Sequence, residues 1–456
     1  MAEQLHLNAF IFPAGHHEAA WRHPATQPER IHDADYFHQI ARTAEDAAFD
    51  AVFLADMPVL TPNVAHNAVG VLEPITLLAS IAAATSRIGL IATASTTYYE
   101  PYNLARLFAS VDHLSKGRAG WNVVTTVSDL VAANYGLDVH PDAADRYARA
   151  TEFLDVVTKL WDGWDEDAIV LDRAGGRYAD IARIHPADHT GPRFHVRGPL
   201  DVPRSPQGRP VLVQAGASNE GRSFAARFAE VIFTAHQRLE DGQAFYADIK
   251  DRATRFGRIP SEVVILPGIS PFIGDTETTA LELEREFNEL TVPEYGLRQL
   301  EQLTGVRLSE AALDGPVPEE LFRDAGNVTD NARSRLQVVA GIVERERPTV
   351  RRLLHRLAGA RGHRVLTGAA EQVADAIEEW FRQGAADGFN VMPPFYPGGL
   401  ELFTSRVVPL LRERGLFRDE YTGATLREHL GLSRPRSRFE DEAHVASAGA
   451  EYPGPA

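Results

Sequence analysis

The feature that most constrains the fold is a repeating alternation of short apolar runs, rich in β-branched residues, with segments of helical periodicity. Eight such runs are found, at 5–11, 51–55, 88–94, 119–125, 210–215, 230–234, 263–269 and 389–392. This alternation is typical of βα units around a parallel sheet, and eight units are the number that closes a barrel. The sequence therefore predicts an α/β fold, a (β/α)8 TIM barrel.

Two segments fit no βα unit and are predicted to be insertions. Residues 165–209 are rich in Gly and Pro, and residues 275–365 have a mostly polar helical pattern. Insertions after barrel strands tend to build lids and pockets at the carboxyl ends of the strands. A doubly wound sheet is the alternative, but no Gly-x-Gly-x-x-Gly opens a helix here. We predict one barrel domain over 1–433 and a disordered tail over 434–456.

Charge and cysteine content exclude several classes of function. The 456 residues include 63 acidic and 46 basic side chains, for a net charge of −17, so a nucleic-acid partner is not expected. Cysteine is absent, which removes disulfides, thiolate nucleophiles and Cys-ligated metals. No apolar stretch approaches the ~20 residues that span a bilayer, and the N-terminus does not resemble a signal peptide. We expect a cytoplasmic protein without membrane contact.

The most informative turn follows the run at 210–215. Gly216 and Gly221 have the spacing of a P-loop, but Arg222 replaces the lysine that a P-loop needs. What remains is a general anion site, where a helix N-terminus and the Ser218 hydroxyl converge on one phosphate. The alternative is a plain turn in which Ser218 or Asn219 caps the helix.

Polar residues also follow or end other predicted strands. Asp56 closes the second run, where a barrel places active-site groups, although it could instead cap a loop. Period-two alternation puts Asn122 on the face opposite Trp121, so its amide needs either a ligand or a backbone partner. His16, His17 and Glu18 could join Asp56 in a metal site, but no further ligands recur at later strand ends. We expect no metal.

Longer motifs carry a resemblance that runs over nearly the whole chain. The chain resembles the bacterial-luciferase-like flavin monooxygenases, in the branch of nitrilotriacetate monooxygenase component A, pristinamycin IIA synthase and dibenzothiophene-sulfone monooxygenase. The matching stretches, whose order and spacing make the resemblance specific, include His17-Glu-Ala-Ala-Trp-Arg-His-Pro, Glu45-Asp-Ala-Ala-Phe-Asp-Ala-Val-Phe-Leu-Ala-Asp, Leu114-Ser-Lys-Gly-Arg-Ala-Gly-Trp-Asn-Val-Val-Thr and Asp387-Gly-Phe-Asn-Val-Met-Pro.

The resemblance implies a cofactor, a partner and site residues. The implied fold is a TIM barrel of the bacterial luciferase-like type with insertions. The implied cofactor is FMN, reduced by a separate NAD(P)H:flavin reductase, and O2 is the co-substrate, activated as a C4a-hydroperoxyflavin. FMN contacts are implied at Asp56, Thr93, Asn122, Tyr147 and Ser218, with Ser218 at the phosphate.

This chain departs from the family pattern at two places. Ala143 stands where members commonly have a His before the Asp-Arg-Tyr motif, and the nearest histidine is His140. The loop between Asp56 and Glu73 is also shorter than is usual, which would open the pocket to a bulky substrate.

The leading hypothesis is the oxygenase component of a two-component, FMN-dependent monooxygenase that oxygenates a small organic or natural-product substrate. Its catalytic residues would be His17, near the substrate, and Asn122, at the flavin ring. A homodimer or homotetramer is expected. The alternatives are a deazaflavin-dependent oxidoreductase on the related barrel and a flavin-binding protein without turnover.

Overall fold

A parallel barrel of eight strands forms the centre of the molecule. The computed structural model describes residues 4–68, 72–216, 218–318, 321, 330–360 and 362–439. The strands in these ranges are β1 (His6–Ile11), β2 (Ala51–Leu54), β3 (Gly89–Ser95), β4 (Ala119–Val124), β5 (Ile169–Asp172), β6 (Arg177–Ala179), β7 (His189–Thr190), β8 (His195–Val196), β9 (Val211–Gln214), β10 (Val231–Thr234), β11 (Val264–Gly274), β12 (Arg364–Ala369) and β13 (Gly388–Val391).

The barrel closes through parallel pairing alone. Its strand order is β1-β2-β3-β4-β9-β10-β11-β13, and β13 pairs back with β1. Each of the eight predicted runs overlaps one of these strands. The predicted (β/α)8 barrel is therefore confirmed.

Helices surround the sheet and fill the insertions. They are α1 (Ala34–Asp46), α2 (Pro74–Ala84), α3 (Pro101–Leu114), α4 (Asp129–Asn134), α5 (Ala143–Asp162), α6 (Asn219–Phe228), α7 (Leu239–Arg255), α8 (Glu277–Glu289), α9 (Pro293–Thr304), α10 (Asp330–Glu346), α11 (Val350–Ala360), α12 (Ala370–Arg382), α13 (Gly398–Leu402), α14 (Val408–Glu413) and α15 (Leu426–His429). Asp33 caps α1 and Asp142 caps α5, each accepting a backbone N–H of the first turn. None of the helices in the described ranges is both long and apolar enough to cross a lipid bilayer.

Strand β12 was not predicted from the sequence. The strand predicted at 263–269 continues to Gly274, and its second half pairs with β12 outside the barrel. Only two of the six β12 residues are buried, so this strand lacks the continuous apolar run that marked the others. The second inserted segment consequently contains α8 to α11 and ends at this added strand.

The turn-rich segment and the chain end lie against the barrel. Residues 165–209 contain two small antiparallel sheets, β5 with β6 and β7 with β8. Of the tail predicted to be disordered, residues 434–439 pack on α5, where Arg438 bonds Asp155 at 2.8 Å and Ser437 bonds the Asp162 carbonyl at 3.2 Å. Residues 440–456 lie outside the described residues.

The amino-terminal end of the barrel is closed by the chain's own C-terminal segment. Leu426, Leu430 and Leu432 pack against the inward side chains of the strands. Gly89 and Gly120 leave room for Leu426, since a Cβ on Gly89 would lie 2.4 Å from a Leu426 methyl carbon. Access to the barrel interior is therefore from the carboxyl ends of the strands.

Candidate active site

Strand alternation decides which side chains enter the barrel. Trp121 points outward, where its ring lies 5.7 Å from that of Phe108 and its indole N–H donates to the Ala94 carbonyl. Asn122 is therefore directed inward, and in the ladder it stands opposite Thr93 of β3. Both residues lie toward the carboxyl ends of their strands, the end at which barrel enzymes place their chemistry.

Thr93 and Asn122 form a buried polar pair. Asn122 Nδ2 donates to Thr93 Oγ1 at 2.9 Å, and Thr93 Oγ1 donates to the Leu54 carbonyl at 2.9 Å. Asn122 Oδ1 is buried and has no hydrogen-bond partner within the described ranges. A buried amide oxygen without a partner costs about 1–3 kcal/mol. This oxygen can accept a hydrogen bond from an N–H group of a ligand at the barrel mouth.

The turn after β9 has the geometry of an anion site. Ser218 is the N-cap of α6, and its Oγ accepts the Gly221 N–H at 3.0 Å. The first-turn amides of Asn219 and Glu220 have no preceding helix carbonyl to bond, and the Ser218 hydroxyl keeps its own proton to donate. The plain capping alternative and the anion site are thus compatible, since one serine serves both.

Gly221 lets the turn and α5 approach each other closely. A Cβ at this position would lie 3.0 Å from Tyr147 Oη, 3.2 Å from Ser218 Oγ and 3.2 Å from Gly216 Cα. Both hydroxyls therefore border the space beside Gly221, and the Tyr147 ring is packed 5.6 Å from that of Phe224. A cradle of two hydroxyls and backbone N–H groups fits a phosphate monoester.

Arg222 is directed to α7. Its Nη1 lies 3.2 Å from Asp248 Oδ2 and its guanidinium stacks 5.1 Å from the Phe245 ring. It does not replace the phosphate-binding lysine of a P-loop in this arrangement. A nucleoside triphosphate site is therefore not supported.

Asp56 lies at the mouth, two residues beyond β2, and is partly buried. Burial, together with the nearby Glu73 carboxylate, raises the pKa of Asp56 to about 6. Burial also raises the pKa of Tyr99 to about 12, with smaller contributions from Glu73 and Asp56. Asp56 is thus a carboxyl group that can change its protonation state near neutral pH.

His17 is placed in a different environment. Its Nδ1 accepts the Ala19 N–H at 3.2 Å and its Nε2 lies 3.3 Å from Asn288 Oδ1 of α8. Burial lowers the pKa of His17 to about 4, in spite of the Asn288 hydrogen bond, and His355 and His23 lower it further. The ring is therefore neutral, and within the described residues it contacts Asn288, Phe272 and Phe287 and not Thr93, Asn122 or Ser218.

The structure also shows what lies near the position at which the family commonly has a histidine. Ala143 is the first residue of α5, and His140 lies in the preceding loop. His140 Nδ1 lies 2.6 Å from Tyr98 Oη and its Nε2 lies 2.9 Å from the Thr126 carbonyl. A histidine is thus present between the loops that follow β3 and β4, three residues earlier than the family pattern expects.

Sequence reasoning missed the aromatic lining of the barrel. The Phe10 ring lies 4.6 Å from Phe53 and 5.4 Å from Phe233, and Phe233 stacks on His363 at 4.9 Å. Strand alternation could have found the three phenylalanines, since each occupies an inward position. His363 has no such signal, because it lies at the end of an insertion.

Other sites can be set aside. The described part of the chain contains no group of three or more His, Cys, Asp or Glu side chains that could hold a metal ion. A cleft of about 990 Å³ lies between α5, α6 and the C-terminal segment. Its lining includes Arg209, Glu230 and Arg427, which lie toward the amino-terminal ends of the strands, so this cleft is not part of the candidate active site.

These observations define a class of protein: a TIM barrel with a buried Thr93–Asn122 pair and an anion-site turn at Ser218, both at the carboxyl ends of its strands. The family described as luciferase-like monooxygenase matches residues 10–387. The N-acetyl-S-(2-succino)cysteine monooxygenase of Bacillus subtilis (strain 168) is 47% identical over 438 residues, covering 96% of this chain and 98% of that protein. The chain therefore belongs to the luciferase-like monooxygenase family, and it is a monooxygenase.

Further relatives agree with the resemblance found in the motifs. Nitrilotriacetate monooxygenase component A of Aminobacter aminovorans is 45% identical, covering 95% of this chain and 98% of that protein. A riboflavin lyase structure that contains a modified FMN and riboflavin is 34% identical, with a TM-score of 0.83, covering 95% of this chain and 97% of that one. The family predicted from the sequence is confirmed.

Proposed function

We propose that this chain is the oxygenase component of a two-component monooxygenase that binds reduced FMN. The observation that carries the proposal is the cradle at the start of α6, where the Ser218 and Tyr147 hydroxyls flank Gly221. It offers the hydroxyl and backbone N–H donors that a single phosphate needs. The flavin-containing relative and the relative named as a component A support the cofactor and the second component.

Each predicted residue has a role in this proposal. Ser218, Tyr147 and the first-turn amides of α6 would hold the phosphate of FMN. Asn122 Oδ1 would accept a hydrogen bond from the flavin ring, and Thr93 fixes the Asn122 amide by accepting from its Nδ2. Asp56 would lie beside the ribityl chain. The bound cofactor would supply the activation of O2, and the aromatic lining would keep water away from the flavin ring.

His17 keeps its predicted place near the substrate as a positioning residue in this proposal. Because both of its ring nitrogens have partners, it would act through α8, by holding Asn288 and the aromatic cluster with Phe287. Asn122 would be the residue in contact with the cofactor ring.

The partner in this proposal is an NAD(P)H:flavin reductase that transfers reduced FMN by diffusion in the cytoplasm, with a homodimer or homotetramer as the working form. A deazaflavin cofactor is supported by fold alone, since the coenzyme F420-dependent reductase that resembles this chain is 16% identical with a TM-score of 0.55. No observation favours a protein without turnover.

The cradle can be tested with three substitutions of one residue. Ser218→Asp retains an N-cap acceptor but faces the phosphate with a carboxylate, so reduced-FMN affinity should fall by at least ~100-fold with little change in Tm. Ser218→Ala should lose both the cap and the donor, and Ser218→Thr should keep both. Anaerobic titration with reduced FMN measures the affinity. Equal affinity of Ser218→Asp and the parent would contradict the phosphate site.

Activity needs a separate measurement. The chain is mixed with reduced FMN and oxygen, and oxygen consumption is compared with hydrogen peroxide release in the presence of candidate substrates such as nitrilotriacetate. For a true substrate, product should form at the expense of peroxide. Rapid oxidation of FMN to give peroxide alone, with every substrate tried, would favour the flavin-binding alternative.

A further inference from the structure

The inserted helix α9 lies over the loop that begins at Asp56. The Tyr295 ring of α9 is 5.7 Å from the His66 ring, and Asn67 Nδ2 lies 3.4 Å from Tyr295 Oη. The His66 carbonyl in turn accepts the Trp21 indole N–H at 2.9 Å. One face of α9 is thus directed at the segments that follow β1 and β2, at the carboxyl end of the barrel.

Arg298 lies one helical turn after Tyr295, on the same side of α9. Positions three apart share a helix face, whereas Leu297 and Leu300 pack into the apolar cluster of the insertion. Arg298 Nε and Nη2 are both buried and have no hydrogen-bond partner in the part of the chain that the structure describes. Two buried N–H donors without an acceptor are costly unless a ligand supplies one.

The two atoms concerned form one edge of the guanidinium, and this edge binds carboxylates elsewhere in the chain. Arg351 donates from Nε to Asp314 Oδ1 at 2.8 Å and from Nη2 to Asp314 Oδ2 at 3.2 Å. Arg209 uses the same two atoms to bind both oxygens of Asp162. Arg298 presents that edge without an aspartate or glutamate of the described residues opposite it.

We infer that Arg298 is the binding site for a carboxylate of the substrate, and that this enzyme acts on carboxylate-bearing molecules. Both oxygens of the carboxylate would accept from Nε and Nη2, the planar pairing in which arginine is most selective. The Tyr295 hydroxyl, on the same face, is a further donor. This inference rests on the proposed function for what happens to the substrate, but the carboxylate site itself does not depend on flavin.

The test compares charged and neutral probes on the full chain. Binding of nitrilotriacetate and succinate, and of their amides nitrilotriacetamide and succinamide, is measured by calorimetry at constant ionic strength. The parent chain should bind at least one carboxylate clearly more tightly than its amide. Arg298→Met should weaken that binding by roughly 10- to 100-fold. Arg298→Lys keeps the positive charge but lacks the two-atom edge of the guanidinium. Its carboxylate affinity should therefore lie between that of Arg298→Met and that of the parent.

Arg351→Met is the matched control, because its guanidinium edge is already bound to Asp314. It should leave carboxylate binding unchanged. A second readout is Tm without ligand, which should rise in Arg298→Met, since two buried donors without an acceptor are removed, and should not rise in Arg351→Met. A lower Tm in Arg298→Met, or equal binding of carboxylates and amides by the parent chain, would overturn the inference.

Failure here is distinguishable from failure of the proposed function. Arg298→Met should keep the parent affinity for reduced FMN, which the Ser218 variants are designed to change. Loss of carboxylate selectivity with intact flavin binding would reject only the Arg298 site, whereas normal carboxylate selectivity without flavin binding would reject only the cofactor.

Discussion

At the scale of single residues, buried polar atoms without partners are the most useful marks of function in this molecule. Asn122 Oδ1 and the Arg298 edge are two of them. Natural proteins satisfy most buried polar groups, so each exception calls for an explanation such as a ligand. Asn122 is the residue that the proposed function places at the flavin ring, whereas Arg298 lies in no motif of the sequence analysis.

Replacing Asn122 by Leu tests the ligand explanation. Leucine has nearly the same size and lacks the buried oxygen, so the ligand-free protein should lose little stability, or gain up to about 1 kcal/mol. Affinity for reduced FMN should fall by about tenfold. The measurements are urea unfolding without flavin and anaerobic titration with it. Large destabilisation with unchanged FMN affinity would show that Asn122 is structural only.

His17 predicts a dependence of stability on pH. An unfolded histidine titrates near 6.5, whereas burial lowers the folded pKa of His17 to about 4. The unfolded state therefore binds the proton first, so the stability that the neutral ring contributes is present above about pH 6.5 and is lost as the pH falls toward 4. Over that window about 3 kcal/mol should be lost through this residue.

His17→Gln should remove the loss of stability that protonation of His17 causes on acidification. Urea unfolding of the parent and the variant between pH 7 and 4.5 measures it, and the exposed His195→Gln controls for loss of a histidine as such. The variant should start less stable at pH 7 and lose less on acidification. Parallel curves for the parent and His17→Gln would contradict the assigned protonation state.

Sequence patterns reached some of these residues and not others. Alternation along β4 placed Asn122 on the inner face, because a strand has a fixed period of two. The same reasoning cannot identify Asn288 as the partner of His17, because the two residues are 271 positions apart in the sequence. Long-range partners of this kind decide whether a histidine is available for chemistry.

At the scale of elements, glycines at the amino-terminal end of the barrel leave room for α15, a helix near the C-terminal end of the described chain. A Cβ on Gly120 would lie 2.9 Å from Ile91 Cγ1 and 3.1 Å from Leu426 Cδ2. The first turn of α15 therefore fills space that glycine leaves. Neither glycine nor helix has a sequence signal that would pair them.

A double-mutant cycle tests this packing. Leu426→Ala should cost about 2–5 kcal/mol through the cavity, and Gly120→Ala about 1–3 kcal/mol through overpacking. The double variant should be about 1 kcal/mol more stable than the sum predicts, since the new methyl group enters the space that Leu426 leaves. Urea unfolding gives the energies. Leu300 belongs to a different apolar cluster from Leu426, so the pair Gly120→Ala and Leu300→Ala should be additive.

At the scale of the whole molecule, eight strand positions followed from the sequence because each barrel strand is a short apolar run between helical segments. The insertion at 275–365 also followed from its polar helical pattern, but β12 did not, because only two of its six residues are buried. The candidate site divides in the same way. Strand ends and the Ser218 turn were predictable, whereas Arg298 depends on how α9 is placed.

The C-terminal segment holds the molecule together by buried ion pairs at the amino-terminal end of the barrel. Arg418 bonds Asp50, which precedes β2, and Arg427 bonds Glu230, which precedes β10, with an N–O distance of 2.6 Å. Asp50 is fully buried and also accepts the Leu7 N–H at 2.7 Å. Burial alone would raise the pKa of Asp50, but Arg418, His6 and the Leu7 N–H outweigh it and hold the pKa below its usual value.

Removing Arg418 should therefore leave a buried carboxylate without its cation. Arg418→Met is expected to cost about 3–5 kcal/mol at pH 8, while Asp50→Asn combined with Arg418→Met should recover part of the loss, because no charge is then left buried. In the parent, the lowered pKa means that the contribution of Asp50 is present at neutral pH and is lost as acid protonates it. In Arg418→Met the first of the groups that lower this pKa is gone, so burial should raise the pKa of Asp50 and protonation should then stabilise the variant. The deficit relative to the parent should therefore narrow between pH 8 and pH 5. Urea unfolding at the two pH values measures this, and an equal deficit at both would mean that the pair does not control the charge of Asp50.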